Sequence, residues 1–96
     1  MTTLLQVHQQ QINQLCQELG VKYLAVFGSQ ARGDARDDSD VDLLVEFENT
    51  PGLIEFVRTK QQLEKILNHK VDMVTRNGVS KYILPYIKSD LQAIYG

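Results

Sequence analysis

One cysteine in 96 residues excludes a disulfide within the chain. That residue, Cys16, falls on the apolar side of the first predicted helix and adjoins no basic residue, so it reads as a small buried thiol rather than a reactive one. Excess basic charge is also missing. The 10 Lys and Arg against 12 Asp and Glu leave a formal net charge of −2, which gives no general electrostatic footprint for a nucleic-acid backbone. No direct nucleic-acid partner is expected, and any polynucleotide contact has to run through a local site. No apolar run approaches the length of a membrane span, and Met1 to Gln6 has no basic leader region. These absences predict a cytoplasmic protein without a membrane partner. His8 has no second histidine at metal-ligand spacing and reads as structural. With 43% apolar and 23% charged residues, 1–96 reads as a single ordinary globular domain with one modest core.

What is present concentrates between Phe27 and Phe47, FGSQARGDARDDSDVDLLVEF. Leu24 to Phe27 is a short apolar run with the character of a buried strand, and Gly28 lets the chain turn sharply at its end. Ser29 suits the N-cap of a short helix over Gln30 to Arg32, which Gly33 stops. The unpaired N–H groups and hydroxyl of such a turn suit a phosphate. Ten residues after Ser29 come Asp40, Val41 and Asp42 at the mouth of a second strand. Two residues apart on a strand, the carboxylates leave one face with Cα atoms roughly 7 Å apart. Val41, Leu43, Val45 and Phe47 then point into a core. Two such carboxylates repel unless a cation lies between them, and charged oxygen ligands that leave room for phosphate oxygens suit Mg²⁺. Arg32 and Arg36 can either reach a triphosphate or balance the nearby acids; Asp34, Asp37 and Asp38 read as a solvated loop.

Around this stretch the periodicity predicts a helix over Thr3–Leu19, with Leu5, Ile12, Leu15, Cys16 and Leu19 on its buried face and Gly20 ending it. Lys22–Phe27 is the first strand. After the turn at 49–52, a second long helix buries Leu53, Phe56, Val57, Leu63 and Leu67, and Asn68-His69 closes it. Val71–Val74 reads as a third strand, in which Asp72 is a conspicuous interior acid. Arg76-Asn77-Gly78 reads as a turn, and Val79–Leu91 looks helical, with Pro85 in a first turn or at a kink. Gln92–Tyr95 either continues that helix or forms an edge strand. Tyr82, Tyr86 and Tyr95 read as core and rim aromatics, not as a base-stacking platform.

The pattern Gly28-Ser29, ten residues, Asp40-Val41-Asp42, with Ser39 before it and Leu43-Leu44-Val45 after it, resembles the nucleotidyltransferase superfamily that includes DNA polymerase beta. The chain is most similar there to the minimal nucleotidyltransferases, short antitoxin partners of HEPN-domain toxins. The resemblance implies an α/β fold, a small mixed sheet covered by helices, and favours a strand at Gln92–Tyr95. It implies a nucleoside triphosphate, ATP as donor, held at Gly28, Ser29 and Arg32, and two Mg²⁺ ions held by Asp40, Asp42 and Asp72. Asp72 would complete the site and help remove the acceptor proton. The activity implied is transfer of AMP to a tyrosine of a HEPN-type RNase toxin. The alternative is a non-catalytic antitoxin that neutralises its partner by binding.

Overall fold

The computed structural model describes residues 3–33, 36, 39–76, 78–82 and 84–96. The chain runs α1 (Thr3–Val7), α2 (Gln9–Leu19), β1 (Val21–Phe27), α3 (Ser29–Arg32), β2 (Val41–Phe47), α4 (Leu53–Leu67), β3 (Val71–Thr75), α5 (Leu84–Asp90) and β4 (Gln92–Tyr95). Among the described residues the strands form one sheet in the order β3-β2-β1-β4. β1 pairs antiparallel with β2 and with β4, whereas β2 and β3 are parallel and joined through α4. This is the small mixed sheet with helices that the sequence implied, and Gln92–Tyr95 is its edge strand.

Alternation along the strands sorts the two faces. Leu24 and Val26 of β1, Val41, Leu43 and Val45 of β2, and Val71 and Met73 of β3 are buried together with Ile12, Leu15 and Cys16 of α2 and Leu63 and Leu67 of α4. Asp42 and Asp72 therefore belong to the opposite face, because side chains alternate with a period of two.

Four local expectations need correction. The first helix is broken at His8, whose ring Nδ1 lies 3.0 Å from the Gln11 side-chain oxygen, so Leu5 reaches the core from a separate short helix. Gly28, with φ 74°, is the N-cap of α3, and Ser29 is the first residue inside it. In α4 the buried stripe is Thr59, Leu63 and Leu67, while Leu53 is 79% exposed and Val57 faces solvent. Thr59 passes as a core residue because its hydroxyl donates to the Glu55 carbonyl at 2.8 Å, which satisfies the polar atom inside the helix. Finally, α5 starts only at Leu84, with Pro85 in its first turn, and Tyr82 and Tyr86 are exposed rather than packed. The loop acids Asp34, Asp37 and Asp38 lie outside the described residues, as does Asn77 of the predicted turn.

Gly20 and Gly33 end α2 and α3 as expected, each in the left-handed conformation. No helix among the described residues is long and apolar enough to cross a membrane.

Candidate active site

β1 delivers Gly28 to the end of the sheet where β2 begins, and Phe27 is the register partner of Asp42. At that point the backbone turns with φ 74° and ψ −149°. A Cβ placed on Gly28 would lie 2.5 Å from Oδ2 of Asp42, so the carboxylate fills the space a side chain would need. Glycine is required twice there, by the positive φ and by the acid.

The same spacing logic places the remaining acids. Asp42 and Asp72 are direct register partners in the parallel β2–β3 pair, so their side chains leave one face about 5 Å apart at the backbone. The register is fixed from both sides of Asp72's strand: the Val41 amide donates to the Lys70 carbonyl at 2.9 Å, and the Val71 amide donates to Oε2 of Glu64 at 3.0 Å. Asp40, exposed, stands just before β2 and follows Ser39, whose hydroxyl accepts from the Arg36 amide at 2.8 Å.

Charge accumulates as a result. Burial raises the Asp42 pKa, the Asp72 and Asp40 charges raise it further, and Arg32 opposes them by pulling it down. Arg32 thus lies close enough to act electrostatically on Asp42, and its Nη1 pairs with Oδ2 of Asp90 at 2.8 Å. Arg36 is exposed beyond this group.

The donor set can be tested for Mg²⁺. Hard oxygens, mutual repulsion felt at Asp42, and a glycine that leaves the Asp42 oxygen unobstructed all fit a divalent cation with phosphate oxygens around it. As the side chains stand, no three His, Cys, Asp or Glu groups among the described residues converge tightly enough to hold a metal ion. The arrangement is a matched pair, Asp42 and Asp72, with Asp40 flanking it. Carboxylate rotamers, not backbone, would have to close around an ion.

A hollow of about 350 Å³ opens at the opposite end of β2, lined among others by Lys22, Glu46, Thr75 and Arg76. Arg76 is tied there to Glu46 at 3.4 Å and lies 5.2 Å over the Tyr23 ring, so its charge is engaged locally. None of the predicted site residues lines it.

Three residues near the acids escaped the sequence reading: Glu64, which anchors β3, and Asp90 and Gln92, which reach α3. Gln92 donates from Nε2 to the Ala31 carbonyl at 3.1 Å. Asp90 and Gln92 have partners 58 and 61 residues away, too distant in the chain for any local pattern to signal them.

The family model of the nucleotidyltransferase domain matches residues 8–94. Over 75 residues the chain is 41% identical to the protein adenylyltransferase MntA of Thermococcus cleftensis, a match that spans 74% of this chain and 76% of that protein. It superposes on a solved structure provisionally described as a minimal nucleotidyltransferase with a TM-score of 0.81 and 36% identity, over 96% of this chain and 95% of the other. Two toxin–antitoxin complexes share the fold at lower identity. One, with AMP-PNP, gives a TM-score of 0.77 at 22% identity over 92% of this chain and 73% of that one. The other joins an MNT antitoxin to a tri-AMPylated HEPN toxin of Shewanella oneidensis, with a TM-score of 0.71 at 20% identity over 96% of this chain and 72% of that one.

Proposed function

This chain belongs to the nucleotidyltransferase domain family, and from that premise we propose that it transfers AMP from ATP to a tyrosine hydroxyl of a HEPN-type RNase toxin. The observation that carries the reading is the in-register pair Asp42 and Asp72 beside a glycine whose missing side chain leaves room for the acid. The adenylyltransferase name of the Thermococcus relative supports AMP as the group moved. The AMP-PNP and AMPylated-toxin complexes on the same fold support the donor and the acceptor.

In this reading the Gly28–Ser29 turn and Arg32 hold the triphosphate, and Asp40, Asp42 and Asp72 hold two Mg²⁺ ions. Bound there, the ions would supply charge neutralisation for the triphosphate and a lowered pKa for the acceptor hydroxyl. Asp72 faces the acceptor side and helps take the hydroxyl proton. The tyrosine oxygen bonds to the α-phosphorus, the α–β bridging bond breaks, and pyrophosphate leaves. The added phosphodiester places negative charge where the toxin must bind RNA, so repulsion opposes its substrate. The use of ATP as donor supports a cytoplasmic location.

The test compares wild type with the Asp40→Asn/Asp42→Asn variant at about one antitoxin to ten toxins, with labelled ATP and Mg²⁺. Catalytic silencing predicts label on a toxin tyrosine by mass spectrometry and loss of RNase activity with wild type alone. If both proteins inhibit equally, and only at equimolar ratio, the chain neutralises by covering its partner and the enzymatic reading is wrong.

A further inference from the structure

The segment joining α5 to β4 touches α3 twice. Asp90, at the end of α5, accepts from the Arg32 guanidinium at 2.8 Å, and Gln92, at the start of β4, donates to the Ala31 carbonyl at 3.1 Å. Neither contact is local: the partners are 58 and 61 residues apart in sequence. A four-residue helix has few internal hydrogen bonds with which to hold itself, and here two adjoining residues of it are fixed from outside. Gln92 is half-buried, with its Oε1 enclosed and without a partner among the described residues, so its amide is committed to this position by the donor side alone.

Resting on the nucleotidyltransferase reading, we propose that Asp90 is a positioning residue that holds the Arg32 guanidinium at the rim of the nucleotide site, ready for the triphosphate. The side chain of Arg32 is 52% exposed and that of Asp90 24%, which is a poor setting for a stabilising ion pair but a good one for orienting a long flexible cation. An arginine carries its N–H donors in a planar fork, and pairing Nη1 with Asp90 fixes the plane in which that fork can present itself to phosphate oxygens. Holding the fork in place beforehand removes rotamer freedom that nucleotide binding would otherwise have to remove. Gln92 acts on the same helix one residue earlier by fixing the carbonyl of Ala31, so the side chain and the backbone of α3 are set by one segment.

Asp90 acts only through Arg32 in this account, and the test is built on that. ATP binding is measured by calorimetry with Mg²⁺, and kcat and KM for ATP are measured with the toxin, for wild type, Asp90→Asn, Asp90→Glu, Arg32→Gln and the Arg32→Gln/Asp90→Asn double variant. Asp90→Asn is expected to raise Kd and KM for ATP by roughly 5- to 20-fold, with kcat changed by less than about threefold and the melting temperature nearly unmoved. Asp90→Glu should recover most of the affinity. In the Arg32→Gln background the Asp90→Asn change should add no more than about twofold, because coupled residues are non-additive.

Tighter ATP binding by Asp90→Asn would show that Asp90 competes with the nucleotide for Arg32, and would overturn the proposal. An equal loss with and without Arg32 would show that Asp90 works by another route. Wild type that binds and uses ATP alongside an Asp90→Asn variant with unchanged KM would sink the positioning role and leave the transferase reading intact. Failure of the wild type itself to bind ATP would instead remove the transferase reading, and the role of Asp90 with it.

Discussion

The carboxylate of Asp42 occupies the space that a side chain on Gly28 would need: Oδ2 of the acid sits 2.5 Å from where a Cβ on the glycine would project. Gly33, five residues on, has a similar positive φ of 84° but nothing within 4 Å of its missing Cβ. The pair separates strain from collision. Gly33→Ala should cost only the left-handed backbone penalty, roughly 1–2 kcal/mol, and keep nucleotide affinity. Gly28→Ala should cost at least as much in denaturant unfolding and also abolish ATP binding, since Asp42 must move. Equal ATP affinity in the two variants would show that the close approach has no role in the site.

Removing the charge of Asp42 should relieve the sheet rather than weaken it. Burial, then Asp72 and then Asp40 raise its pKa, so the folded protein binds this proton more tightly than the unfolded chain does. Stability therefore falls as pH rises from the ordinary aspartate value through the raised folded value, and the full penalty stands at neutral pH. Without metal, Asp42→Asn is expected to melt at or above the wild-type temperature at about pH 7, with the difference shrinking toward about pH 4. A loss exceeding about 2 kcal/mol at neutral pH would mean the carboxylate serves as a buried hydrogen-bond partner instead.

Millimolar Mg²⁺ with ATP should raise the wild-type melting temperature, because a ligand that binds only the native state stabilises it by mass action. Asp42→Asn should lose this rise. An unchanged wild-type midpoint would count against the acids as a metal site.

The α4 surface separates residues that look alike in the sequence. Ile54 is 71% exposed and Leu63 is buried in the core. Ile54→Ser should change the unfolding free energy by no more than about 0.5 kcal/mol, whereas Leu63→Ala should cost about 2–5 kcal/mol. Urea titrations of the two variants are sufficient.

Cys16 provides a probe of opening. Burial pushes its thiol up to about 11, so almost no thiolate exists at neutral pH and the side chain is closed to reagents. Labelling by a thiol reagent at about pH 8 should be slow and should accelerate with urea in step with unfolding. Fast labelling of the native protein would contradict the burial.

The strands that carry the acids were readable because their chemistry is local. Val41, Leu43 and Val45 alternate with Asp42, and Asp72 interrupts an otherwise apolar run, so facing and period could be taken directly from neighbouring residues. The helices misled where burial depends on what lies opposite. Leu53 and Val57 have the right period but are exposed, and Thr59 is polar by name yet satisfied by Glu55 within its own turn. His8 breaks a helix whose apolar period continues on either side. Asp90 and Gln92 were beyond reach for a different reason, since their meaning depends entirely on α3 lying beside them.

Chain order gives that last arrangement a temporal side. The three acids and the Gly28 turn lie within residues 28–72, whereas the residues that grip α3 follow at 90 and 92. On a ribosome the carboxylates emerge first and the grip on Arg32 arrives after β3 has been made. A nascent chain can therefore carry all three acids before the Asp90 contact to Arg32 and the pairing of β4 with β1 are able to form.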